Sequence, residues 1–165
     1  MVFPMMISGG SMLPMLHEGD VVTVSGWEVR FGEIERGDVV VFMMDDDVGG
    51  VLVNGEVADG VHEVSGDTYF VKRVIGLPGE EVVLRDGKVF VNGVVLDESY
   101  VRGETWVSSF EDVKLSADGG GFVYNIGEDE YFVLGDNREA SVDSRNFLRS
   151  FVPRRCMVGV VSAVE

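Results

Sequence analysis

The chain has a single cysteine, Cys156, so no internal disulfide can form. That residue lies in a valine-rich run, Cys156–Val164, and reads as a core side chain rather than a nucleophile. Only two histidines occur, His17 and His62, and neither has a Cys or second His at ligand spacing, so no metal site and no cofactor is expected. Prolines number four, and the lysines are Lys72, Lys88 and Lys114 alone. No apolar run approaches the ~20 residues that a membrane-crossing helix needs. The run at the start, Met1 to Ile7, is short and interrupted by Pro4. It reads as a core strand, as the stub of an anchor, or as an apolar lip that touches lipid. Helix signals are sparse: Met12–Glu18 and Arg145–Ser150 each suggest one short turn.

What is abundant is valine, glycine and negative charge. Hydrophobic residues make up 45% of 165 residues, enough for a real core in one domain. The net charge of -16 argues against nucleic acid as a partner, because nothing offsets phosphate repulsion. Such an acidic, lysine-poor surface suits a high-salt milieu, where salt screens self-repulsion. Strand-like runs recur at Asp20–Val24, Asp38–Phe42, Tyr69–Ile75, Glu81–Leu84, Lys88–Val91, Tyr131–Leu134 and Cys156–Val164. Asp86-Gly87 and Asn92-Gly93 are hairpin signals. The expected fold is all-β, mainly antiparallel, with barrel-like coiled sheets and a few short helical turns. Asp45–Asp67 reads as a long loop or loose hairpin. The core of the single domain is expected over roughly 1–86 and 128–165, with an inserted β subdomain or cap over 87–127.

Three segments carry chemistry. Glycines precede Ser11 in Ser8-Gly9-Gly10-Ser11-Met12-Leu13-Pro14, where they allow unusual backbone torsions and a close substrate approach. Pro14 restricts Leu13 and stiffens the turn. Backbone N–H groups of such a turn can stabilise an oxyanion. A serine hydroxyl needs a base, and Lys72 stands in the apolar run Tyr69-Phe70-Val71-Lys72-Arg73-Val74-Ile75. Burial lowers an amine's pKa and lets it accept a proton. The plain alternative is an edge-strand lysine whose tip reaches water. The third segment, Gly135 to Arg145, is dense in small polar and charged groups that suit the orientation of a buried base.

Together these segments resemble the type I signal peptidases, a Ser–Lys family, over most of the chain. Ser11-Met12-Leu13-Pro14 is similar to the family's nucleophile box, and Gly19-Asp20 to its continuation. Arg36 to Phe42 is similar to the next strand box, and Phe70 to Glu80 to the base box. Gly135-Asp136-Asn137-Arg138 with Ser141-Val142-Asp143-Ser144-Arg145 is similar to the last box. Four such matches in order are far more specific than one.

The resemblance implies a signal-peptidase-like β fold shared with self-cleaving repressor proteases. It implies Ser11 as nucleophile and Lys72 as general base. The Ser11 backbone N–H would serve the oxyanion; the family's second donor position is Gly9 here, which leaves Ser8 as the nearby hydroxyl. Ser141 would hydrogen-bond the lysine amine. Asp143 and Arg145 would form an ion pair near the site, with Arg73 close by. Met12, Leu16, Phe70 and Val71 would line shallow substrate pockets, and Met15 stands where the family carries a small residue. The implied partners are signal peptides of secretory pre-proteins and the bilayer surface. The implied location is the outer face of the cytoplasmic membrane, with the anchor that precedes the nucleophile box absent from this chain. The substrate is expected as an extended strand beside Tyr69–Val74. Alternatives are a conjugation, pilus-maturation or self-cleaving repressor type of Ser–Lys peptidase, and an inactive β-rich binding module.

Overall fold

Valine-rich segments punctuated by Gly and Asp turns fold into antiparallel sheets, because β-branched side chains pack well on pleated surfaces. The structure, a computed structural model, describes residues 1–43, 52–53, 56–57, 63–64, 67–107, 114–147 and 149–165. Its strands in chain order begin with β1 (Val2–Met6), β2 (Val21–Ser25), β3 (Val39–Met43), β4 (Leu52–Val53) and β5 (Glu56–Val57). There follow β6 (Glu63–Val64), β7 (Asp67–Gly76), β8 (Glu81–Arg85), β9 (Lys88–Val91) and β10 (Val94–Val95). The last are β11 (Lys114–Leu115), β12 (Phe122–Asn125), β13 (Glu130–Leu134), β14 (Val152–Pro153) and β15 (Met157–Val164). Among the described residues, helical structure is limited to α1 (Trp27–Phe31) and a 3-10 turn at Arg154–Cys156.

The larger sheet runs β1-β2-β15-β3-β7-β13-β14, with β6 paired to β7. The smaller runs β10-β9-β8-β12-β11. Its two hairpins turn at Asp86-Gly87 and Asn92-Gly93, all four residues at positive φ, which is the type I′ geometry that matches strand twist. The two sheets share a core. Ile75, Phe132 and Leu134 of the larger sheet pack with Val82, Leu84, Val89, Tyr124 and Ile126. The second sheet therefore begins at Glu81, because β8 pairs with β9 and β12 and not with the larger sheet.

Other expectations are displaced. Within the Met1–Ile7 run, Val2–Met6 is an edge strand with its side chains alternately exposed rather than a core strand, and Ile7 alone is buried. Helix α1 gave no sequence signal: it has five residues, no capping side chain and no buried residue. The turn expected from Arg145 starts two residues earlier, with the Asn146 and Phe147 N–H groups donating to the Asp143 carbonyl. The loop expected over Asp45–Asp67 lies largely outside the described residues, as does His62.

Strand β7 positions the site. Tyr69 to Arg73 pair with Met43 to Val39 of β3, and Arg73 to Gly76 pair with β13 on the other side. Over Tyr69–Lys72, among the described residues, no strand takes the second edge. The edge open to an added strand is thus shorter than Tyr69–Val74, because Arg73 and Val74 are already paired on both sides.

Candidate active site

The Ser11 loop links β1 to β2. Gly9 has a φ of 80°, a left-handed torsion that only glycine adopts without strain. The Leu13–Pro14 peptide is cis. Behind Ser11 the Leu16 N–H donates to the Met12 carbonyl at 3.0 Å, closing the single helical turn that the sequence suggested. Met12 and Leu16 pin that turn to a buried cluster with Ile7, Val22, Val24, Val39 and Val41.

Lys72 lies opposite Val40 in the β3–β7 register and shares its face of β7 with Phe70 and Val74. Its side chain is buried and does not snorkel to water. The Nζ lies 2.8 Å from Ser11 Oγ and 2.9 Å from the Val71 carbonyl oxygen. It also sits 5.9 Å from the Phe70 ring centroid. Burial lowers the amine's pKa to about 8; Asp143 and Asp136 pull it upward, and Arg145 pushes back. An amine of that pKa is neutral in a useful fraction near neutrality, whereas an exposed lysine is not.

The loop after β13 supports both residues. Arg73, next to the lysine, is held bidentately by Asp136, with Nε–Oδ1 at 2.8 Å and Nη2–Oδ2 at 2.6 Å. Its guanidinium stacks on Tyr100 at 4.1 Å, and its Nη1 donates to the Gly37 carbonyl. Asp143 and Arg145 form a second buried pair, with Nε–Oδ1 at 2.8 Å. Burial raises the Asp143 carboxyl, but the adjacent Arg145 guanidinium outweighs this and holds it below the usual range. Asp143 Oδ2 accepts from both Arg145 Nη2 and the Gly135 N–H, and Arg145 Nη2 also donates to the Arg138 carbonyl. Each buried charge is therefore paired and hydrogen-bonded, as burial demands.

Ser141 does not make the expected bond to Lys72. Its Oγ is sealed from solvent and makes no hydrogen bond of normal geometry among the described residues, although it lies near enough to Asp143 to help hold that carboxyl down. It lies against Gly135: a Cβ there would collide with Ser141 Oγ and come within 2.6 Å of the Ser11 carbonyl oxygen. Glycine at 135 is what lets the nucleophile loop, the strand end and Ser141 converge. Among the pocket residues, Met12 and Leu16 are core side chains in this packing. Phe70 stacks on Phe42 and meets Phe147 edge to face, with ring centroids at 5.5 and 5.8 Å, and Val71 is half-buried. Ser8 is exposed. Met15, beside the site, places its sulfur 3.0 Å from Arg73 Nη2.

Sequence reasoning quoted Asp136, Asn137 and Arg138 but gave them no individual roles. Arg138 is fully buried, donating to both Glu98 oxygens, to Thr105 Oγ1 and to the Gly135 carbonyl. Asn137 bridges to the serine loop through two hydrogen bonds. Apart from Gly135, their partners lie 33 to 127 residues away in the chain, a separation no local pattern reveals.

A serine hydroxyl bonded to a buried, weakly basic amine, next to an open strand edge, is the arrangement of a Ser–Lys hydrolase. The comparisons with known proteins give the family. The family model described as signal peptidase, peptidase S26 matches residues 1–164, so the chain belongs to that family. Signal peptidase I P of Bacillus subtilis subsp. natto is 34% identical over 161 residues, covering 98% of this chain and 75% of its own. Signal peptidase I S of Bacillus subtilis (strain 168) is 33% identical, covering 92% and 71%. A crystal structure of a signal peptidase I from Enterococcus faecalis V583 is 31% identical, with a TM-score of 0.50, covering 79% of this chain and 97% of that one. No helix among the described residues is long and apolar enough to cross a membrane.

Proposed function

We propose that the chain is a serine endopeptidase that removes signal peptides from secretory pre-proteins, with Ser11 as nucleophile and Lys72 as general base. The observation that carries the mechanism is the 2.8 Å approach of Lys72 Nζ to Ser11 Oγ in a setting that lowers the amine to about 8. The neutral amine takes the Ser11 proton as Oγ attacks the scissile carbonyl, and the protonated amine then gives it to the leaving amine. The mature protein departs, and water activated by the same amine hydrolyses the acyl-enzyme. Ser141 engages the amine as it becomes charged, which would satisfy a hydroxyl now buried without a partner.

The substrate adds as a strand along the open edge of Tyr69–Lys72. Small residues one and three places before the cut would occupy shallow recesses floored by Val71 and Phe70, with Met12 and Leu16 behind them. This matches the small-x-small end of signal peptides. Its place of action is the outer face of the cytoplasmic membrane, at the bilayer surface. Incubation with a pre-protein in detergent, followed by mass spectrometry of the products, tests the reading. One cut after a small-x-small segment, lost in Ser11→Ala and Lys72→Ala, is expected. Unchanged cleavage by either folded variant would refute the dyad, and an intact pre-protein with folded wild type would refute the activity.

A further inference from the structure

Asn137 grips two successive carbonyls of the nucleophile loop. Its backbone N–H donates to the Ser11 carbonyl at 3.0 Å, and its Nδ2 donates to the Gly10 carbonyl at 2.9 Å. The Gly10 carbonyl shares a peptide plane with the Ser11 N–H. That peptide is trans, since Leu13–Pro14 is the cis bond of the described chain, so the N–H points away from the carbonyl. Holding the Gly10 oxygen against Asn137 therefore sets where the Ser11 N–H is aimed. Among the described residues no acceptor occupies that N–H. A donor on the carbonyl also polarises its peptide and strengthens the N–H at the other end.

Asn137 is itself held firmly. The Arg102 N–H donates to the Asp136 carbonyl at 2.8 Å, and the Arg138 N–H donates to the Arg102 carbonyl at 2.9 Å, a parallel bridge across Asn137. On one side Asp136 clamps Arg73, the neighbour of Lys72. On the other, Arg138 is locked to Glu98 and Thr105. Consecutive residues thus fasten the base strand and the nucleophile loop to one rigid segment.

We infer that Asn137 is a positioning residue for the oxyanion site: its side-chain amide orients and polarises the Ser11 N–H through the Gly10 carbonyl. As Ser11 Oγ bonds to the substrate carbonyl carbon, the π pair moves to the carbonyl oxygen and the hydroxyl proton passes to Lys72. The N–H held by Asn137 receives that oxyanion. The inference rests on the Ser11–Lys72 reading above.

The test is steady-state cleavage of a small-x-small peptide by Asn137→Ala, with Ser11→Ala and Lys72→Ala alongside. Deleting a direct oxyanion donor costs roughly 100- to 1,000-fold in kcat, so an indirect one is expected to cost on the order of 10-fold or more. The loss should fall on kcat with KM held, because the contact matters only once the oxyanion forms. The midpoint of the pH profile should stay with the wild type, since Lys72 is untouched. Affinity for a peptide aldehyde, whose adduct carries the oxyanion, should fall in step with kcat/KM. Full kcat, a loss confined to KM, or a loss explained by a moved pH midpoint would each overturn the inference. Should the alanine variant not fold, Asn137→Leu fills the same space without a donor and is judged by the same criteria. Activity retained in Ser11→Ala or Lys72→Ala would instead overturn the dyad beneath it.

Discussion

Replacing Lys72 with methionine should raise the stability of the protein at neutral pH and lose that advantage in alkali. The amine is lowered from 10.5 to about 8 by burial, which corresponds to about 3 kcal/mol at roughly 1.4 kcal/mol per pH unit. Below pH 8 the amine is charged in both folded and unfolded chains, and the full cost of burying the charge is present. Between 8 and 10.5 the unfolded chain holds the proton and the folded one does not, so stability rises with pH. Above 10.5 both are neutral and the cost is gone. Methionine matches the lysine stem in length and carries no charge, but it forfeits the contacts to Ser11 Oγ and the Val71 carbonyl, each worth about 1 kcal/mol. The variant is therefore favoured by about 1 kcal/mol near pH 6.5 and disfavoured by about 2 kcal/mol near pH 10.5, a swing of about 3 kcal/mol. Urea unfolding of both proteins at the two pH values measures it, and every other titrating group cancels in the difference. A gap that stays constant across this range would mean that residue 72 titrates alike in folded and unfolded chains, and the argument for a neutral base would fail.

Further outcomes follow from the same geometry. The kcat/KM of the wild type should rise through a midpoint near pH 8 as Lys72 loses its proton. At pH 6 only about 1% of the plateau should remain, by the tenfold fall per pH unit of a single titration, and a profile flat from pH 6 to 9 would contradict this. Asp143→Asn leaves the Arg145 guanidinium buried without its partner and should cost about 3–5 kcal/mol in urea unfolding; a loss below about 1 kcal/mol would show that the pair is dispensable. In Gly76→Ala the new methyl group would collide with Ile126 and lie 2.7 Å from Val82 Cγ2, so a loss of about 1–3 kcal/mol is expected, and wild-type stability would contradict the packing described between the sheets. With a net charge of -16, the thermal midpoint should climb between 0.1 and 1 M NaCl as the Debye length shrinks from about 10 to about 3 Å. A midpoint that falls or stays level would mean that self-repulsion is not a significant cost.

The sheets were legible because local patterns encode them, and the same patterns singled out Ser11 and Lys72, whose side chains the fold brings to 2.8 Å. The two Asp-Gly and Asn-Gly turns gave both hairpins, and the lysine within an apolar strand run pointed to a buried amine. Helix α1 was not legible, since none of its five residues is buried and apolar spacing had nothing to report. The division between the sheets was not legible, because β8 has the same composition whichever sheet it joins; its partners β9 and β12 decide the matter. At the site, the Asp143–Arg145 pair spans two residues and could be read from the motif, whereas Arg73–Asp136 spans 63 and Asn137–Gly10 spans 127. Ser141 shows the opposite case: the motif assigned it a bond to Lys72, yet the amine is taken up by Ser11 and the Val71 carbonyl, and the Ser141 hydroxyl lies against Gly135 without a hydrogen bond of normal geometry.

The most direct measurement is covalent trapping. Wild type and Lys72→Ala would be treated with a penem acylating inhibitor across pH 6 to 9, digested and mapped by mass spectrometry. The mechanism predicts one adduct, on Ser11, whose rate of formation climbs through pH 8 in the wild type and is lost in the variant. An adduct on another residue, or equal labelling of Ser11 with and without the lysine, would contradict it.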